Sequence, residues 1–268
     1  MKKILVCFLV LSVMLAFAAC AKKESPEAKN PAVTDETTEE AKSETKEKTE
    51  ENYEKIYEDL TCDYKKLVEF RYSDSFDDTW YEKLDDLDFS TSFSSILSAV
   101  VTEDHSDAIS GMIDQLENTF SPKGLEDFGY ILYDLNKDGT PELFWVRTDY
   151  SIVAVFTVKN GEAVLLDAFG TRYKGYVSEK GELYGWGSGG EQDQRCGVYR
   201  LTEEGQLENK CGFSAGIDFF GDPTKMIYKE VTDSQTKEIT AERFESLEKE
   251  YPREQSKTWT NLPILELK

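Results

Sequence analysis

Asp134-Leu-Asn-Lys-Asp-Gly-Thr-Pro-Glu142, bracketed by Tyr130-Ile-Leu-Tyr133 and Leu143-Phe-Trp-Val-Arg147, is the stretch that decides how this chain is built. Asp134, Asn136 and Asp138 stand at alternate positions. Gly139 allows a tight turn at the sixth position, the Thr140 carbonyl falls at the seventh and Glu142 at the ninth. That spacing arranges oxygen donors for a hard divalent cation. Calcium is expected over magnesium, because flexible carboxylates and one carbonyl furnish a larger and less regular shell. A helix-loop-helix calcium motif would need a bidentate Glu at the twelfth position, where Trp145 stands. The flanks read as strands, so the expectation is a structural calcium loop connecting two β-strands. The competing reading is a solvated turn that uses Asp, Asn and Gly for conformational reasons alone.

Toward the C-terminus the pattern stays short, alternating and punctuated by Gly. Strands are expected at 130–133, 143–147, 152–158 and 163–168, the last two joined by the hairpin signal Asn160-Gly161. Further strands are expected near 174–178, 183–186, 197–201, 207–213 and 226–231. Thr240 caps a final helix with Phe244, Leu247 and Tyr251 on its apolar face, and Pro252 stops it. Toward the N-terminus the period changes. Tyr53, Ile56, Tyr57, Leu60, Tyr64, Leu67 and Val68 recur at three and four, the stripe of an amphipathic helix. Phe93 to Val101 suggests a second helix and Ile109, Met112, Ile113 and Leu116 a third. The fold class is therefore α+β, with N-terminal helices packed on an antiparallel β meander and a C-terminal helix. Residues 53–127 are expected to form a helical region and 128–268 a β-rich region, the two packed as one unit.

Before these lie two segments of another kind. Lys2 and Lys3, the apolar run from Ile4 to Ala18 and the small residues before Cys20 form a secretion signal over residues 1–19. Ala18-Ala19-Cys20 resembles a bacterial lipoprotein signal, which makes Cys20 the lipidated first residue of the mature chain and anchors it to the outer face of the cell membrane. Ala16-Phe17-Ala18 also fits an ordinary small-x-small cleavage site, which would give a secreted product. Residues 20–52 carry one large aliphatic, Val33, and are expected to form a disordered tether.

The chain has 53 acidic and 31 basic residues and a net charge of −22. Nucleic acid is thereby excluded as an expected partner, since such a surface repels phosphate backbones. With Cys7 in the signal and Cys20 assigned to lipid, Cys62, Cys196 and Cys211 remain. Cys62 reads as a small buried residue on a helix. A four-residue turn over 202–205 would set Cys196 opposite Cys211 for a disulfide, whereas a three-residue turn with a bulge at Gly205 would turn them to opposite faces.

Tyr133 to Leu143 resembles the calcium loop of FG-GAP and VCBS-type repeats. The longer context resembles an uncharacterised lipoprotein family of Gram-positive anaerobes, matched by the Leu183 to Gly190 segment and by Ile239 to Phe244. The resemblance covers about Glu54 to the C-terminus and implies no established activity. A single loop does not imply a propeller.

Other motifs carry less. Gly185, Gly187 and Gly190 satisfy G-x-G-x-x-G, but the residues that follow read as loop and strand and do not open a phosphate-cradling helix. Ser188 is not a nucleophile elbow, because Trp186 occupies a position that motif reserves for Gly. The single histidine, His105, lies in a polar acidic segment and reads as solvated. Paired carboxylates keep a hydrolase open as an alternative. Trp145, Tyr173, Tyr176, Tyr184 and Trp186 read either as a ligand platform for glycans or peptides, with Trp145, Tyr184 and Trp186 at its centre, or as core. The functional expectation is a non-catalytic surface interaction or scaffold protein that meets a surface protein or glycan, with no catalytic residues assigned.

Overall fold

The apolar runs beside the Asp134–Glu142 loop pair as antiparallel strands, β1 (Phe128–Tyr133) and β2 (Glu142–Arg147), with Tyr133 opposite Glu142 and Phe128 opposite Arg147. This computed structural model describes residues 37–102, 111–113, 116, 124–190, 193–218, 221–222, 224–232 and 235–267. Residues from Lys42 to the C-terminus cluster as one compact unit. β3 (Ile152–Lys159) pairs with β2 and turns through Asn160 and Gly161, both at positive φ, into β4 (Glu162–Ala168). Those dihedrals match the right-handed twist of the strands they join. A meander follows through β5 (Tyr173–Val177), β6 (Leu183–Gly190), β7 (Asp193–Leu201), β8 (Leu207–Ile217), β9 (Met226–Thr232) and β10 (Gln235–Ile239). The two-residue strand β11 (Leu265–Glu266) closes on β1. The strand order is β10-β9-β8-β7-β6-β5-β3-β2-β1-β11, with β4 beside β3, and all described pairs are antiparallel. The α+β architecture read from the sequence is present.

Helices α1 (Thr37–Arg71) and α2 (Thr91–Thr102) cover one face of the first strands. The α1 stripe of Tyr57, Leu60, Tyr64, Leu67 and Val68 is buried with Trp145 and Phe156. Tyr64 stacks on Trp145 with ring centroids 4.5 Å apart and planes 4° from parallel, and its hydroxyl donates to the Val146 carbonyl at 3.1 Å. The buried Asp63 accepts from Ser90 N–H at 3.0 Å and from the Ser90 hydroxyl, while Ser90 Oγ accepts from Phe93 N–H at 3.2 Å and so caps α2. Two sequence expectations change here. Helix α1 takes in Thr37–Asn52, assigned above to a flexible tether. Its Glu and Lys residues are good helix formers, and an apolar count does not register propensity. Cys62 is exposed, on the side of α1 away from the stripe.

Gly111–Ile113 are helical, and Met112, Ile113 and Leu116 are buried against the same core. The rest of the expected third helix, including Ile109, lies outside the described residues, as do His105, the signal segment and Cys20. Helix α3 (Ala241–Glu250) begins at Thr240, whose hydroxyl accepts from Arg243 N–H at 3.3 Å. It buries Phe244 and Leu247 against β6–β8, with Tyr251 beside them. Trp259, on the short helix α4 (Lys257–Thr260), fills the other face of β1–β3 and packs edge-on to Phe144.

The β7–β8 hairpin resolves the cysteine question. Thr202 N–H donates to the Gln206 carbonyl at 2.9 Å and Gly205 has φ of +69°, so the tighter turn is the one adopted. A second irregularity between Val198 and Tyr199 passes over Lys210, which leaves Cys196 opposite Phe213 and Cys211 opposite Val198. The two thiols are free and two register steps from direct opposition, so the disulfide expectation is corrected.

Candidate functional site

Within the Asp134–Glu142 loop the side chains fold back on the backbone. Asp134 accepts from Asp138 N–H at 3.1 Å and from Gly139 N–H at 3.0 Å, and Asp138 accepts from Thr140 N–H at 2.7 Å. Asn136 Oδ1 accepts from Asp138 N–H at 3.2 Å. Lys137 at φ of +62° and Gly139 at +95° make this wrapping possible. Glu142, 1% exposed, accepts from Leu135 N–H at 2.8 Å and from the Thr157 hydroxyl at 3.2 Å. Burial pushes its carboxyl up to about 7, with the nearby Asp138 and Asp134 charges acting in the same direction. The Tyr57 hydroxyl donates to the Pro141 carbonyl at 2.7 Å and fastens the loop to α1.

The donor chemistry of Asp134, Asn136, Asp138, Glu142 and the Thr140 carbonyl is all oxygen, and carboxylate oxygens that accept one N–H keep a further lone pair. It fits a hard cation in kind. The side chains do not converge on one point, however: among the described residues no group of three His, Cys, Asp or Glu is placed to hold a metal ion. Glu142 turns inward to Leu135 and Thr157, and Asn136 spends its amide N–H groups on Asp138 Oδ2 at 2.8 Å and the Thr202 carbonyl at 3.0 Å.

The expected platform of Trp145, Tyr184 and Trp186 is not at the surface. These side chains are 0%, 1% and 5% exposed and belong to two separate core clusters. Tyr184 and Trp186 pair their polar tips with inner backbone carbonyls, Trp186 Nε1 donating to Tyr251 O and Tyr184 Oη to Pro252 O, each at 2.8 Å, while Trp145 is buried by its stacking on Tyr64.

A different surface emerges on the opposite face of β5–β8. Gly175, Gly185, Gly197 and Gly212 stand opposite one another from strand to strand. Aromatic rings lie on the first three. A Cβ at Gly175 would enter the Phe169 ring, at Gly185 the Tyr173 ring, and at Gly197 the Tyr199 phenol. Phe169 and Tyr173 have centroids 5.3 Å apart and planes 27° from parallel, and the Tyr173 hydroxyl donates to Asp167 at 3.3 Å. At Gly212 no ring is seated, and the nearest atoms to a Cβ are the Cys196 carbonyl at 3.4 Å and Val231 Cβ at 3.8 Å.

Around Gly212 opens a trough of about 740 Å³, bounded by Arg172, Tyr173, Arg195, Tyr199, Asn209 and Ser214. No Asp or Glu is among the described residues that line it. Of the earlier aromatic candidates only Tyr173 reaches this surface. The signal available for the others was a Gly in each of β5, β6, β7 and β8, which marks a line where rings can lie on backbone.

The far side of the same strands is closed by charge as well as by packing. Lys210 Nζ meets Glu182 Oε1 at 2.6 Å and donates to Tyr251 Oη at 3.0 Å, and this contact holds the Lys210 ammonium above its ordinary range.

No family model and no curated protein matches the chain. Among solved structures, a Xanthomonas type IV secretion system related protein aligns with 12% identity and a TM-score of 0.26. The alignment covers 47% of this chain and 63% of that one, so this chain spans less than two thirds of its length. That score assigns neither fold nor role.

Proposed function

We propose that the chain is a lipid-anchored, extracytoplasmic binding module, tethered through Cys20, that offers one open sheet face to a ligand while calcium braces the β1–β2 loop. The observation that carries this reading is the unequal covering of β5–β8. Helix α3 and Tyr251 fill one face, and the other holds the trough, whose described lining carries no carboxylate. Its guanidinium, amide and hydroxyl groups suit holding a polar ligand. Anchoring is supported by Ala18-Ala19-Cys20 after a basic and apolar leader. Calcium is supported by the oxygen-only loop and by Glu142, buried beside two further carboxylates whose charges a cation would offset.

Fractionation tests the anchoring. The wild-type protein is expected in the membrane fraction, released by detergent and not by salt, with diacylglycerol on Cys20 by mass spectrometry. Cys20→Ser should divert it to the soluble fraction or leave the leader uncleaved. A wild-type soluble product beginning at Ala19 would overturn the anchor.

A further inference from the structure

We propose that the trough at Gly212 binds an acidic sugar, a pyranose ring carrying a carboxylate; this rests on the binding-module reading above. Three observations converge on that chemistry. The first is the row of seats. Phe169, Tyr173 and Tyr199 lie on Gly175, Gly185 and Gly197, at successive strands spaced by about 4.8 Å, and Gly212 continues the row without a ring of its own. A flat ring laid on Gly212 meets backbone below and the Tyr199 side chain alongside, as the protein's own rings do at the neighbouring positions.

The second is charge. In a chain of net charge −22, the described lining of this trough carries two arginines and no acid. Arg195 is oriented by Asp193 through Nε at 3.3 Å and Nη2 at 2.6 Å, which leaves further N–H groups of its guanidinium fork to donate. Arg172 is exposed and makes no ion pair with the described residues. A single carboxylate on a ring matches this local field; a dense polyphosphate would be opposed by the rest of the surface.

The third is what the floor cannot do. Backbone N–H and C=O groups of β6, β7 and β8 are already committed to the ladder, so an extended peptide cannot add itself here as a strand. Recognition falls to Asn209, Ser214, Tyr199 and the arginines, groups that exchange hydrogen bonds with sugar hydroxyls and a carboxylate.

Calorimetric titration of the mature protein at fixed calcium concentration tests the inference, using a β-1,4-linked glucuronic acid trisaccharide, neutral cellotriose and an Asp/Glu hexapeptide as probes. The acidic trisaccharide should bind at least about tenfold more tightly than cellotriose, and Arg172→Ala should remove most of that preference. Gly212→Leu should abolish binding with an unchanged melting temperature, because its Cβ meets nothing closer than 3.4 Å and its φ is ordinary. Should Gly212→Leu fail to fold, Asn209→Ala serves in its place and should weaken binding severalfold. Equal affinity for the neutral sugar, tighter binding of the peptide, or no binding of the acidic trisaccharide to about 10 mM would each overturn the proposal. Such a failure leaves the Cys20 fractionation result standing, and a soluble Ala19 product would leave this titration unaffected.

Discussion

The Asn136 side-chain amide donates to the Thr202 carbonyl at 3.0 Å, joining the β1–β2 loop to the β7–β8 turn across the middle of the sheet. The β5–β6 turn closes on the same loop, since a Cβ at Gly181 would lie 3.0 Å from the Leu135 carbonyl. The loop therefore sits where the helix-covered strands meet the strands that carry the trough. Tightening it stabilises both.

Calcium should act through that junction. Extracellular modules bind calcium at ~10⁻⁴ to 10⁻³ M, and a tenfold excess over the dissociation constant contributes about 1.4 kcal/mol. Differential scanning calorimetry should give a melting temperature about 3–6 °C higher in calcium than in chelator. Asp134→Asn with Asp138→Asn should remove the difference, and its absence from the wild type would strike calcium from the account.

The glycine row predicts a graded series. Gly185→Ala and Gly197→Ala drive a methyl into Tyr173 and Tyr199, and each should cost about 1–3 kcal/mol in urea unfolding. Gly212→Ala should stay within about 0.5 kcal/mol of wild type. Equal costs at all three positions would mean that ring seating does not explain these glycines.

Asp167 should impart a pH dependence. Burial raises its carboxyl from 3.8 to about 6, against the hydrogen bonds from Ala168 N–H and Tyr173 Oη. The folded state thus holds a proton that the unfolded chain releases near 3.8, and stability from this group is full below that pH and lost as pH rises through about 6. Asp167→Asn should be about 2 kcal/mol more stable than wild type at neutral pH, with the gain vanishing below pH ~4. A parallel offset at every pH would exclude titration as the cause.

Lys210 should be costly to remove. Its partner Glu182 has a side chain only 6% exposed, so Lys210→Met leaves a buried carboxylate without its cation. The expected loss is about 2–4 kcal/mol by chemical denaturation. Adding Glu182→Gln should recover part of it, and purely additive losses would show the two side chains to be uncoupled.

Strands and helices were legible wherever one period ran long enough: the Tyr57-Leu60-Tyr64-Leu67 stripe and the Asn160-Gly161 turn lead directly to α1 and the β3–β4 hairpin. β10 escaped because Gln235-Thr-Lys-Glu-Ile239 is an exposed edge strand with almost nothing apolar to alternate. The Asp134–Glu142 loop could be read from spacing alone, but the inward turn of Glu142 depends on Thr157, a residue from another strand. The trough was least legible. Tyr173 reaches it because Gly185 on the neighbouring strand leaves room, a relation that exists only once register is set, and Tyr199 lies back over Gly197 of its own strand.

Register also has a bearing on redox chemistry. By passing over Lys210, the β7–β8 pairing aims that ammonium at Glu182 and at the same time keeps Cys196 and Cys211 from facing each other. Burial holds the Cys196 thiol well above its ordinary range, and Cys211 is shifted in the same direction. Thiolate is scarce at both. The sheet is thus assembled, among the described residues, without a covalent staple. Among the described residues the thiol left open to alkylation or to pairing with another molecule is Cys62, on the exposed side of α1.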